Sequence, residues 1–173
     1  MEELVEQTLA TPILEEFREE VATTKRVLER IPPEKLAWKP HVKSMSLGQL
    51  AWHVANIPGS VSRIAQQPSF DVSQGNFVPG QPSSKLEILQ TFEQSSRDAE
   101  AFLEGLTDRQ AVESWRLLNQ GTEIFVKPRI SVIRMIMLNH WYHHRGQLSV
   151  YLRLLDVPVP VIYGRSADES PFH

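Results

Sequence analysis

The feature that most constrains this chain is an apolar segment at residues 130–155, ISVIRMIMLNHWYHHRGQLSVYLRLL, which contains three histidines. Its apolar residues recur at the three- and four-residue spacing of an amphipathic helix, and the segment is long enough to cross a domain. Imidazole groups on an apolar helix face need polar partners, because burying them unpaired is unfavourable. The segment therefore predicts a long helix with a metal-binding centre.

A helical wheel at about 100° per residue places His140 and His144 on one face of this helix. The same face carries Ile133, Ile136, Met137, Leu148, Tyr151 and Leu155. The opposite face carries Arg134, Tyr142, Arg145, Ser149 and Arg153. Side chains at positions i and i+4 lie roughly 5–6 Å apart, so both imidazoles can bind one ion at about 2 Å. His143 lies on the flank of this face and is expected at the surface or the rim of the site, although His140 with His143 remains an alternative pair.

A third ligand has to come from another helix, and His53 lies within a second apolar helical stripe. By contrast, His41 lies in a segment bounded by prolines, and His173 is the last residue. Three neutral imidazoles would leave an open coordination position, which is typical of catalytic rather than structural metal sites. Nitrogen ligands suit zinc, nickel, iron or copper, so the pattern predicts one divalent transition metal. The competing interpretation is that each histidine is a hydrogen-bonded core residue.

Two neighbours of the histidines are further candidates. Gln147 faces inward on the wheel and is a candidate hydrogen-bond donor to a ligand. Trp52 and Trp141 each stand beside a proposed ligand and are expected to pack in the core or to wall the site.

Apolar periodicity and helix-start signals predict three further long helices. Thr11-Pro12 is a typical start for the first, while Ser46 and Ser84 begin capping boxes for the second and third. Pro58-Gly59 is expected to kink or break the second helix just after Ile57, because proline removes a backbone donor. Residues 2–10 form a weakly amphipathic leader that is compatible with one short helix.

Two long connections join these helices. Residues 67–83 are rich in Gln, Pro, Ser and Gly, and they are long enough to link two parallel helices. Between the third and fourth helices, residues 115–126 hold a polar Asn-Gln-Gly turn between two apolar runs and are compatible with a small hairpin. Four helices and little sheet predict an all-α, four-helix-bundle fold with a single domain over residues 1–173.

Composition excludes several classes of function. The net charge is −3 with acids and bases interspersed, so nucleic acid is not an expected partner. The chain has no cysteine, which excludes disulfides, thiolate ligands and a cysteine nucleophile. The N-terminus lacks the pattern of a signal peptide, and no apolar run approaches the ~20 residues of a membrane span. We therefore expect a cytoplasmic protein that has no membrane partner and acts on a small molecule.

Other metal and nucleophile chemistries do not fit. The segment HWYHH is not the HExxH of zinc proteases, because no acid stands between the histidines. Di-iron bundles need an acid three residues before a ligand histidine, and Leu50 and Met137 stand there instead. No glycine-rich phosphate loop or nucleophile elbow is present.

The residues around the histidines resemble those of the DinB/YfiT superfamily of metal-binding four-helix bundles. The matching segments are SLGQLAWHVAN around His53, LNHWYHHRGQLSVYLRLL around His140 and His144, and the tail VPVPVIYGRSADE. This resemblance covers nearly the whole chain and implies an up-down-down-up homodimeric bundle with one divalent metal bound by His53, His140 and His144. The Pro58-Gly59 pair departs from the uninterrupted helix common in that family.

The resemblance also implies an activity. Characterised members of the superfamily look like transferases or isomerases that use a low-molecular-weight thiol such as bacillithiol or mycothiol. The corresponding expectation is a metal-dependent thiol S-transferase. The alternatives are a hydrolase that uses a metal-bound hydroxide and a non-catalytic metal-binding stress protein.

Overall fold

The computed structural model describes residues 7–170, in which helices predominate. The helices are α1 (Thr11–Glu29), α2 (Leu47–Gln66), α3 (Lys85–Glu104), α4 (Asp108–Val112), α5 (Arg129–Val132) and α6 (His140–Leu154). A π-helical segment, Ile133–Asn139, connects α5 directly to α6. No helix of the described residues is long and apolar enough to cross a membrane. Most of the short helix predicted for residues 2–10 lies outside the described residues, and so does His173.

The all-α prediction is incomplete, because three short strands form a small sheet. The strands are β1 (Ser69–Asp71), β2 (Ser114–Asn119) and β3 (Thr122–Pro128), in the order β1-β2-β3. The β2–β3 pair is antiparallel and confirms the predicted hairpin, whereas β1 pairs in parallel with β2. The hairpin turn holds Gln120 at φ 50° and Gly121 at φ 76°, the left-handed conformation that a tight two-residue turn requires. A strand of three residues is too short to show an alternating pattern, which is why β1 was predicted as part of a connection.

The structure contains some of the helix caps that the sequence predicts and lacks others. Ser46 and Gln49 form the full capping box at the start of α2. At α3 only half of the box exists, since Ser84 accepts from the Glu87 amide but the Glu87 carboxylate accepts from Ser83 instead. Thr11 is the first residue of α1 rather than its cap.

The sequence predicts a kink or a break after Ile57, and the break is wrong, because the α2 helix continues through Pro58. Pro58 cannot donate to the carbonyl of Val54, one turn earlier. That carbonyl instead accepts a hydrogen bond of 2.9 Å from the indole N–H of Trp141 on α6. The tertiary structure thus supplies the missing donor, and the helix persists.

The next residue of α2 allows a close approach to α3. The amide of Gly59 donates to Ser95 Oγ at 2.8 Å, and a Cβ at this glycine would lie 2.9 Å from the Cα of Ser95. Only glycine fits this contact. Farther along the same two helices, Arg63 lies 3.6 Å from Asp98. From the first contact to the second, the residue numbers therefore increase in the same direction on α2 and on α3.

The helical wheel of the last helix needs a correction. The wheel predicts Arg145 on the face opposite the core, but its side chain is only 1% exposed. His140 and His144, which the wheel places at the centre of the buried face, are only half-buried. Within α6 the buried side chains are Trp141, Arg145, Leu148 and Leu152, which recur at helical spacing, so the stripe packed in the core lies beside the histidines rather than on them. The helix also packs on two sides, against α1 and α2.

Arg145 belongs to a buried polar network that attaches the C-terminal tail to the helices. Its guanidinium forms an ion pair with Glu20 and donates to Thr24 Oγ1 at 3.0 Å, both on α1. It also donates to the hydroxyl of Tyr163 at 2.5 Å, and this hydroxyl donates to Glu20 at 2.8 Å. Every charged group of the network has a partner, as a buried ion pair requires.

Residues 67–83, which we call the pocket loop, are held at both ends. At one end the Asp71 carboxylate accepts from the amides of Ser73, Gln120 and Gly121 and from the Ser73 hydroxyl, which joins the loop to the hairpin turn. At the other end Gln81 accepts a hydrogen bond of 2.6 Å from Ser46 Oγ at the start of α2. The loop is therefore a fixed part of the fold.

Replacement of Trp141 by phenylalanine should destabilise the protein. The change keeps an aromatic ring but leaves the buried Val54 carbonyl without a donor, at a cost of about 1–3 kcal/mol in the free energy of unfolding. Urea unfolding measures the difference. The Trp52→Phe variant is the control, because Trp52 lines a cavity and should show the smaller loss. Equal losses in both variants would contradict the assigned role of Trp141.

The Asp71 carboxylate should stabilise the protein in a pH-dependent way. Hydrogen bonds from the Ser73 hydroxyl and the Gly121 amide lower the pKa of Asp71 to about 2 from its usual value near 3.8. Its stabilising contribution is thus complete above pH 3.8 and is lost as the pH falls through about 2. The melting temperature of the wild type should exceed that of Asp71→Asn at neutral pH, and the difference should narrow on acidification across that range. A difference that does not vary with pH would contradict this assignment.

Candidate metal centre

Three histidines from two helices converge at one point. His53 comes from the second turn of α2, and His140 and His144 come from the first turns of α6. The Nε2 atoms of His53 and His140 lie 3.3 Å apart, and the ring of His144 lies 4.5 Å, centroid to centroid, from each of the other two rings. One nitrogen from each ring lies within 4.8 Å of those of the other two. These are the three residues predicted as ligands, and the fold brings them together.

The spacing of these nitrogens fits a transition metal. Metal–nitrogen bonds of about 2.0–2.1 Å in tetrahedral geometry place two ligand nitrogens roughly 3.3–3.4 Å apart. The His53–His140 separation of 3.3 Å matches this value. A hydrogen bond between these two rings would also explain that one contact, but it would not explain the third imidazole at the same point. The donor set therefore suits a three-histidine site with an open position.

A side-chain contact orients one of the candidate ligands. The Nδ1 atom of His144 lies 2.7 Å from Gln147 Oε1, and an amide oxygen can only accept, so Nδ1 carries the proton. Nε2 of His144 is then unprotonated and free to bind a metal. Gln147 is exposed rather than inward-facing as the wheel placed it, and it accepts a hydrogen bond from His144 where the sequence predicts a donor.

The three imidazoles are neutral at physiological pH. Burial, and after it the nearby imidazole rings, lowers the pKa of His53 and of His140 to about 4. Burial also lowers the pKa of His144. A neutral imidazole is the form that binds a metal.

The other histidines of residues 7–170, His41 and His143, do not join this cluster. His143 is exposed and contacts only the edge of the site, with its ring 4.8 Å from that of His144. His41 lies in an exposed turn, where its Nδ1 accepts from the amide of Lys43. The pair His140 and His143 is therefore less suited to one ion than His140 and His144.

The histidine cluster opens into a cavity of about 990 Å³ between α2, the last helix and the pocket loop. Its volume suits a small organic molecule. Trp52 lines the cavity, whereas Trp141 is fully buried in the core, so the two tryptophans next to the proposed ligands have different roles. The apolar wall is completed by Ile57, Val61, Ile64, Phe70, Phe77, Val78 and Ile136.

Sequence reasoning missed the contribution of the pocket loop. Phe70, Phe77 and Val78 line the cavity, although their segment was predicted only as a connection. The available signal was four large apolar residues, Phe70, Val72, Phe77 and Val78, within an otherwise polar loop of unusual length. The position of the three lining residues beside the histidines depends on the pairing of β1 with β2, which is not a local property.

Comparison with known proteins supports a common fold. A structure of a DinB-like protein from Bacillus cereus ATCC 10987 superposes with a TM-score of 0.70 at 21% identity, covering 91% of this chain and 99% of that one. The DinB-like protein YjoA of Bacillus subtilis superposes with a TM-score of 0.67 at 20% identity, covering 89% and 99%.

The sequence comparisons identify the family. The chain is 27% identical over 164 residues to YrdA of Bacillus subtilis (strain 168), an uncharacterized protein, over 90% of this chain and 89% of YrdA. The family model of the DinB family matches residues 6–171, almost the entire chain. The chain therefore belongs to the DinB family.

Proposed function

We propose that this protein is a divalent-metal-dependent enzyme of the thiol S-transferase type, which acts on a small molecule. The observation that carries the proposal is the convergence of three neutral imidazoles beside a cavity large enough for an organic substrate. Such a site is open on one side, as a catalytic metal centre requires. Membership of the DinB family adds support.

His53, His140 and His144 would hold the ion, which would be zinc, nickel or iron. A bound divalent ion lowers the pKa of a coordinated thiol or water, which makes an anionic nucleophile available at neutral pH. Gln147 keeps His144 in the tautomer that leaves Nε2 free. Trp52 and the apolar cavity wall exclude water from the reacting groups.

The two alternatives are less well supported. Hydrolysis needs a general base near the attacking water, and the ionisable residues that line the cavity within residues 7–170 are Lys43 and the three histidines. A purely metal-binding stress protein has no need of a 990 Å³ apolar cavity next to the ion.

We also propose that the long helices form a single-domain up-down-down-up bundle. This order is supported by the contacts of α2, which advance in parallel with α3 from Gly59–Ser95 to Arg63–Asp98. The contacts of α6 with α2, and with the residue just before the cap of α2, run in the opposite direction, from Met45–Tyr151 to Val54–Trp141. A homodimer in the cytoplasm that binds neither nucleic acid nor membrane completes the proposal.

Substitution of each candidate ligand should abolish metal binding. The purified protein should contain about one equivalent of a divalent transition metal, and His53→Ala, His140→Ala and His144→Ala should each contain almost none, because two imidazoles bind too weakly. Elemental analysis after removal of loose metal measures the stoichiometry. His41→Ala and His143→Ala are matched controls and should retain the metal. Unchanged metal content in the three ligand variants would disprove the site.

The transferase activity has its own test. Metal-loaded protein incubated with monochlorobimane and a panel of low-molecular-weight thiols, including bacillithiol and mycothiol, should form the fluorescent conjugate with saturable kinetics. The rate should fall to the uncatalysed rate after chelation and in His144→Ala, whereas His143→Ala should retain activity. If metal-loaded protein shows no conjugation with any thiol of the panel, the proposed reaction is wrong even though the metal site stands.

A further inference from the structure

The mouth of the cavity exposes large apolar side chains. Phe77 is 64% exposed and Val78 is 73% exposed, and both line the same cavity as the histidines. Apolar surface of this kind next to a concave site marks a place where a ligand or partner binds. Contact with a ligand would remove this surface from water.

The Phe77 ring is held in place. It meets the Phe70 ring edge-on at 6.3 Å, and a Cβ at Gly75 would lie 2.6 Å from Phe77 Cζ. The pocket loop itself is joined to the hairpin through Asp71 and to α2 through Gln81. The apolar wall is therefore preformed rather than a loose loop, which reduces the entropy lost when a ligand binds.

Lys43 is the charged side chain of the cavity lining in the described part of the chain, and the other ionisable side chains of the lining are the three neutral histidines. A divalent ion on the histidines would add positive charge at the inner end. This charge distribution favours an anionic group on the ligand.

We infer that the cavity binds an amphiphilic anion, a small molecule with an extended apolar body and one anionic end group, such as a carboxylate or a thiolate. The apolar body lies against Trp52 and Phe77, and the anionic end lies at the histidine cluster. The inference rests on the proposed function, because it names the substrate class of the same site. It goes beyond that function by requiring an apolar substrate body.

Calorimetry of the zinc-loaded protein with a series of linear carboxylates from butanoate to octanoate tests this inference. Each added methylene should tighten binding roughly fourfold while it remains in the cavity, from about 0.8 kcal/mol per buried methylene. Octan-1-ol should bind at least tenfold more weakly than octanoate, because it lacks the charge. Affinity that does not rise with chain length, or octanol that binds as tightly as octanoate, would overturn the inference.

Substitutions at the cavity wall test whether the carboxylates bind in this cavity. Phe77→Ser should reduce the gain in affinity per methylene, and Val78→Ser should act in the same direction. Val150→Ser is the matched control, since Val150 is exposed on α6 but lies outside the cavity, and its affinity series should equal that of the wild type. Lys43→Gln should weaken octanoate binding roughly two- to fivefold at low salt. A Phe77 variant that keeps the full gain per methylene would refute the assigned wall.

The outcomes separate this inference from the proposed reaction. Chain-length-dependent binding without thiol conjugation would refute the transferase and leave the amphiphilic ligand standing. Thiol conjugation with affinities that ignore chain length would leave the transferase standing and refute the ligand class.

Discussion

The contact on which the site depends is the hydrogen bond between the Trp141 indole and the Val54 carbonyl. Pro58 leaves that carbonyl without its helical donor, and the low polarity of the core makes an unpaired carbonyl unfavourable. One specific register of α6 against α2 places the Trp141 indole where it can donate to this carbonyl. Val54 follows His53 and Trp141 follows His140, so the same register brings the histidines together. An apparent helix breaker is thus part of what aligns the three histidines.

Other contacts hold the remaining elements around the site. Gly59 allows α2 to lie close to α3, which positions the helix that carries His53. The buried pair of Arg145 and Glu20 joins α6 to α1 and attaches the tail through Tyr163. The small sheet holds the pocket loop through Asp71. The part of the cavity wall that the pocket loop supplies is therefore held by contacts other than those that align the histidines.

Residues whose roles follow from local spacing were predicted well. The Ser46 capping box, the hairpin turn and the shared face of His140 and His144 each depend on a few neighbouring residues. His53 joins the other two histidines only through the fold, 87 residues away from His140. The face of the last helix was predicted less well, because helical spacing shows which residues share a face but not which face the fold buries. Arg145 lies on the same stripe as Trp141, Leu148 and Leu152, and an arginine is rarely buried without a partner that sequence spacing cannot reveal. Glu20 lies 125 residues away.

The sequence by itself determined that this chain forms long amphipathic helices and carries three histidines on two of them, since periodicity and residue chemistry are local properties. Only the tertiary structure decided that α2 runs unbroken through Pro58, that β1 joins the hairpin, and that Phe70, Phe77 and Val78 wall the cavity. Each of these depends on a partner more than 35 residues away, Trp141 for the proline turn and Arg116 for Ser69. Local preference is weak at such places, and the partner that satisfies a backbone group or covers an apolar side chain decides the outcome.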